Sequence, residues 1–168
     1  MRLKTARAFY DVRWRIAVLL TAILAGFAPI GLADETWPAI RSYLAAGPIE
    51  NFLLQPEALP DDPSDEFYLV FDVRSASELV ASGETLPSAE HTPYTDIMPL
   101  LAALGDDRSQ PALIYCQTML RSTQVVMALR LLGYENTWYL AGGIDRWRSA
   151  GKPLKPVDHA DESAIATD

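Results

Sequence analysis

At 168 residues, with 49% of them apolar, the chain has material for one hydrophobic core and a short additional segment. Its net charge of −8 is uneven: Met1 to Ala33 carries five basic residues and one acid, so +4 sits there and −12 on the remainder. So acidic a body lacks the basic footprint that a phosphate backbone requires, which argues against a nucleic-acid partner. A single cysteine rules out both an intramolecular disulfide and a dithiol redox pair.

In chain order, Arg2, Lys4, Arg7, Arg13 and Arg15 form a positive n-region, Ile16 to Phe27 is apolar and uncharged, and Pro29 interrupts it. Gly31-Leu32-Ala33 places small residues where a signal peptidase reads, with Asp34-Glu35 following, so residues 1–33 read as an export signal cleaved after Ala33. The competing reading is an uncleaved membrane anchor through residues 16–32, whose length is at the lower edge of a span. Either way the body is expected outside the cytoplasm, in the periplasm or an equivalent compartment, with the positive charge left inside. An N-terminal helical extension (34–50) should hold a helix over Trp37 to Ala46, stopped by Gly47-Pro48. A domain over 51–154 would follow, opening with a small strand from Asn51 to Leu54.

Within that domain the pattern predicts a strand over Phe67–Val73, helical turns over Ser75–Ala81, and an apolar helix over Thr95–Leu104 ended by Gly105. A buried strand over Ala112–Tyr115, a helix over Ser122–Leu132, a last strand over Trp138–Leu140 and a closing helix over Ile144–Ala150 complete it. Strands alternating with helices predict an α/β fold with a parallel sheet of about five strands, covered by helices on both faces. Residues 155–168 read as a flexible polar tail. His91 and His159 with one cysteine do not make a zinc site, so neither metal nor cofactor is expected. His159 lies in the tail; His91 precedes Pro93 and reads as a loop histidine close to the expected site.

Cys116 lies where the Ala112–Tyr115 strand ends and a helix is about to begin. Amides at a helix N-terminus have no intrahelical partner, so the segment Gln117-Thr118-Met119-Leu120-Arg121-Ser122 can cradle an anion. A thiolate held there beside Arg121 is expected to have a depressed pKa and to be nucleophilic. The competing reading is an inert core cysteine.

This loop resembles the active-site loop of rhodanese-like sulfurtransferases, and three further segments fall in the same order. Asp72-Val73-Arg74 with Glu78-Leu79 is similar to the family's Asp-Val-Arg signature, Tyr139 to Trp147 to its Gly-Gly-x-x-x-Trp motif, and Leu54 to Leu59 to the opening of the domain. The resemblance implies a three-layer rhodanese-like fold in one copy. It implies a Cys116 persulfide formed from a sulfane-sulfur donor, thiosulfate or a polysulfide, and passed to a thiol or cyanide. It also implies that Asp72 braces the loop and that Arg74 pairs with Glu78, all three in supporting roles. Two departures stand out: the loop's usual glycine is Met119, which would resist a positive φ, and in the Gly-His-Ile-Pro-Gly segment the histidine is missing and the second glycine is Ser88. A catalytically weak binding or sensing module therefore remains an alternative. A related phosphatase spaces its cysteine and arginine by five residues, whereas here only four separate Cys116 from Arg121.

Overall fold

The structure, a computed structural model, describes residues 31–66 and 69–157. Residues 1–30, which hold most of the expected export signal, Phe67, Tyr68 and the tail beyond Val157, His159 included, lie outside the described residues. The chain divides into two units at Pro38. Helix α1 (Gly31–Ala45) begins six residues before the expected start at Trp37 and contains Pro38. No helix of the described residues is long and apolar enough to cross a membrane.

In the second unit the core is one parallel sheet in the order β1-β6-β5-β2-β4. Its strands are β1 (Leu53–Leu54), β2 (Leu69–Asp72), β4 (Ala89–His91), β5 (Ala112–Tyr115) and β6 (Thr137–Leu140). β5 is central and all four of its residues are buried, as expected of a strand covered on both faces. Alternation along the strands divides the core in two. Phe71, Val73, Ala112, Ile114 and Cys116 face one way and pack with Leu100 and Leu104 of α3 (Met98–Leu104) and Val125, Val126 and Leu129 of α4 (Leu120–Leu131). Val70, Leu113, Tyr115 and Leu140 face the other way and pack with Ile144 and Trp147 of α5 (Gly143–Ser149). The three-layer expectation is met.

Two short strands lie in the stretch from Gly83 to Pro93, for which no element was expected: β3 (Glu84–Thr85) and β4. β4 has no apolar alternation; it is held because Val70, Phe71 and Asp72 offer it a ladder in register with Ala89, Glu90 and His91. β3 pairs antiparallel with β7 (Lys155–Pro156), and Val157 N–H donates to Gly83 O. Residues 155–157 are thus paired to the domain. Between β2 and β3, α2 (Ala76–Ser82) opens on a capping box: Ser75 Oγ accepts from Glu78 N–H, and the Glu78 carboxylate accepts from Ser75 N–H.

Candidate active site

β5 delivers Cys116 to the carboxyl edge of the sheet, at the turn into α4, where ligands of open α/β sheets are bound. Two contacts shape the loop. The amides of Ile144 and Asp145, at the start of α5, donate to the carbonyls of Cys116 (3.0 Å) and Gln117 (3.2 Å). No peptide among the described residues is cis, so in each of these peptide planes the N–H points opposite to the C=O. The amides of Gln117 and Thr118 therefore face away from α5, toward the side of the sheet that carries the cysteine side chain. That approach depends on Gly143: a Cβ there would lie 2.7 Å from Gln117 C and O and closer still to Cys116 O. Gln117 Nε2 also donates to Asp145 Oδ1 (2.5 Å), tying the loop to α5 a third time.

On the opposite side, Cys116 Sγ lies 3.7 Å from Ser122 Oγ, and that hydroxyl donates to Met119 O (3.0 Å). Ser122 and Cys116 are both buried, Cys116 being 1% exposed, so only a small atom can reach the sulfur unless the loop moves. Thr118 is exposed, as are Met119 and Leu120, the latter at 70%. Met119 has φ −178°, extended backbone open to any residue. The expectation that methionine resists a positive φ here is thereby corrected, because this chain does not use one at that position. Ser88 (φ 56°) is the single non-glycine residue with positive φ among those described.

Arg121 forms a bidentate pair with Glu78, Nη2 to Oε1 at 2.6 Å and Nη1 to Oε2, while its guanidinium lies 5.6 Å from the centre of the Tyr94 ring. The Glu78 carboxyl falls to about 2, first through the hydrogen bonds from Arg121 and, against a smaller desolvation cost, through those from Ser75. Arg121 is pushed up, mainly by the same hydrogen bonds, with further contributions from the charge of Glu78 and from Cys116.

The expected pairing of Arg74 with Glu78 does not form. Arg74 turns under the sheet to Asp72: Nε donates to Oδ1 (3.0 Å) and Oδ2 (2.9 Å), and Nη2 to Oδ2 (2.6 Å), with both residues fully buried. The physical reason is position. Asp72 is buried and needs a paired cation, whereas Glu78, at the start of α2, is reached by Arg121 from α4. Burial works against the charge on Arg74, but the hydrogen bonds and charge of Asp72 more than offset it and raise its pKa. Nη2 also donates to Glu84 O (2.7 Å), fixing β3.

Asp72 is joined to Tyr115, the strand residue that precedes Cys116. The phenol donates to Asp72 Oδ2 (2.9 Å) and accepts from Leu86 N–H (3.1 Å). Its one proton is used on Asp72, so Thr85 is the donor in their 2.5 Å hydrogen bond. Burial, then the charge of Asp72, pushes the Tyr115 pKa well up, so the phenol stays a neutral donor. Tyr115 and Thr85 were not expected as supports, since nothing local to either marks a partner in the other's segment. His91 is not in the loop around the sulfur; its Nε2 is 2.9 Å from Arg74 O, at the end of β4.

A model of the rhodanese-like domain matches residues 55–150. A protein of Synechocystis sp. is 28% identical over 117 residues, 70% of this chain and 63% of that protein. A tRNA uridine(34) hydroxylase of Erwinia tasmaniensis is 27% identical over 133 residues, 74% of this chain and 35% of the relative. The chain thus spans less than two thirds of the length of either relative. Among solved structures, a rhodanese-related protein of Thermoplasma volcanium superposes with a TM-score of 0.51 at 24% identity, over 61% of this chain and 95% of that one. A Rhodopseudomonas palustris protein described as a possible tyrosine phosphatase superposes with a TM-score of 0.51 at 16% identity, over 71% and 93%. These structural likenesses are of fold. With the domain model covering more than half of the sequence, the chain belongs to the rhodanese-like domain family.

Proposed function

We propose that this protein is an exported single-domain sulfurtransferase that carries sulfane sulfur as a persulfide on Cys116. The observation that carries the reading is the setting of the sulfur: one thiol, at the end of a central strand, with Arg121 beside it and the Gln117 and Thr118 amides turned to its side by α5. Sulfur transfer needs little more. The Cys116 sulfur attacks the outer sulfur of the donor, the donor's S–S bond breaks, and its electron pair leaves with the remainder as an anion. A thiol or cyanide then takes the outer sulfur from Cys116. No general base is required if the attacking group is a thiolate, and fixed amides and a guanidinium suit the charge that develops. Access is the remaining requirement: with Cys116 1% exposed, turnover requires the loop to move enough to admit the donor's outer sulfur.

Export rests on the positive n-region and apolar run of residues 1–33, with an anchor through residues 16–32 as the alternative. A phosphoryl-transfer reading is disfavoured by the four-residue spacing between Cys116 and Arg121. The binding-module reading draws on the burial of Cys116. Mass spectrometry after treatment with thiosulfate or a thiosulfonate decides between them. One added sulfur atom, removed by cyanide and absent in Cys116→Ser, is expected. Failure of every sulfane donor to modify Cys116 overturns the enzymatic reading.

A further inference from the structure

The only charged side chain from Cys116 to Ser122 is Arg121, and its charge is already met. Both terminal nitrogens of the guanidinium bond the two oxygens of Glu78. That carboxylate cannot readily swing away, because Ser75 holds it by its backbone N–H (3.0 Å) and hydroxyl (2.8 Å). Arg74, just beyond the neighbouring strand, is buried against Asp72. The net charge of the Arg121–Glu78 pair is therefore close to zero, and Glu78 stays ionised throughout the neutral range. The Tyr94 ring lies 5.6 Å from the same guanidinium, and Met119 and Leu120 of the cysteine loop are 40% and 70% exposed, so the loop offers apolar surface of its own. A dianion arriving here meets a cation already paired with a carboxylate and an aromatic ring beside it.

We propose that Glu78 is a specificity-determining residue, setting this site for sulfane-sulfur donors of low charge with an apolar body and against dianions such as thiosulfate. The inference rests on the sulfur-transfer reading above and narrows its donor class. Chemically the step is unchanged: Cys116 sulfur bonds to the outer sulfur of R–SO2–S⁻, the S–S bond breaks, and the pair leaves on the sulfinate R–SO2⁻. Thiosulfate offers the same bond with a second negative charge in place of R, so comparison of the two isolates charge and body.

The test measures kcat/KM for thiosulfate, methanethiosulfonate and benzenethiosulfonate with the full chain and cyanide as acceptor, each divided by the donor's rate with a free small thiol. The wild type is expected to prefer methanethiosulfonate over thiosulfate by about tenfold, the scale of one unit of charge in a partly screened site, equivalent to about 1.4 kcal/mol. Benzenethiosulfonate should be better again. Glu78→Gln keeps an acceptor for Ser75 and Arg121 while removing the charge. It should raise thiosulfate turnover relative to methanethiosulfonate about tenfold, collapsing the ratio whatever its effect on both donors together. A merely structural role would lower all donors together. Should Glu78→Gln not fold, the wild-type ratios alone decide. Equal normalised rates in the wild type, or a Glu78→Gln ratio unchanged from it, overturn the proposal and leave sulfur transfer standing. No turnover of any donor, with no sulfur added to Cys116, overturns both.

Discussion

Replacing Gly143 with alanine tests whether α5 sets the shape of the cysteine loop. Two costs can be separated. Gly143 has φ +60°, and an L-residue in the left-handed region costs about 1–2 kcal/mol. The added Cβ would sit 2.7 Å from Gln117 C and O, contacts that backbone cannot tolerate, so α5 must withdraw. That weakens the bonds from Ile144 N–H to Cys116 O and from Asp145 N–H to Gln117 O, each worth about 0.5–1.5 kcal/mol. The total is about 2–5 kcal/mol. Gly83 supplies the control: its φ is +65° and a Cβ there meets nothing within 4 Å, so Gly83→Ala carries the conformational cost alone. Urea denaturation should place Gly143→Ala about 1–3 kcal/mol below Gly83→Ala. Loading of sulfur onto Cys116, followed by mass spectrometry, should slow at least tenfold in Gly143→Ala and little in Gly83→Ala. Equal stability losses in the two variants, with equal loading, would refute the claim that this close approach holds the loop.

The Glu78–Arg121 pair should give a pH-dependent stability. The Glu78 carboxyl is lowered from 4.5 to about 2 on folding, so its contribution is complete above about pH 4.5 and disappears as pH falls toward 2. With the Glu78 side chain 36% exposed, solvent screening reduces it to about 1 kcal/mol. The urea midpoints of wild type and Glu78→Gln should differ at pH 7 and converge near pH 2; a gap that persists there contradicts the assignment. Ser88→Gly relieves a left-handed φ of 56°, worth about 1–2 kcal/mol, and loses the exposed 2.7 Å bond from Ser88 Oγ to Asp62 Oδ2, worth about 0.5 kcal/mol or more. Net stabilisation of about 0.5–1 kcal/mol is expected in thermal melts, and a lower Tm would count against it. Met119 carries no positive-φ strain, so Met119→Gly should leave thiosulfate loading within about threefold of wild type, a barrier change under 1 kcal/mol. A tenfold acceleration would restore the strain argument.

Much of this protein is legible in local sequence. The Ala112–Tyr115 strand, the cysteine turn after it and the helix beyond are written in an apolar run, a break and a helical repeat, features that depend on neighbours a few residues apart. Alternation along β2 and β5 likewise foretells that Cys116 and Tyr115 face opposite layers. Partner choice is a different matter. Two arginines and two carboxylates, Arg74, Arg121, Asp72 and Glu78, admit more than one pairing, and sequence proximity favours Arg74 with Glu78. The fold selects otherwise because Asp72 points into the layer where Arg74 is buried, while Glu78 at the mouth of α2 meets a helix 43 residues away. The β3–β7 pairing and the ladder that recruits β4 have the same origin. Each depends on a surface supplied by a distant segment, and such surfaces exist only once the sheet has assembled.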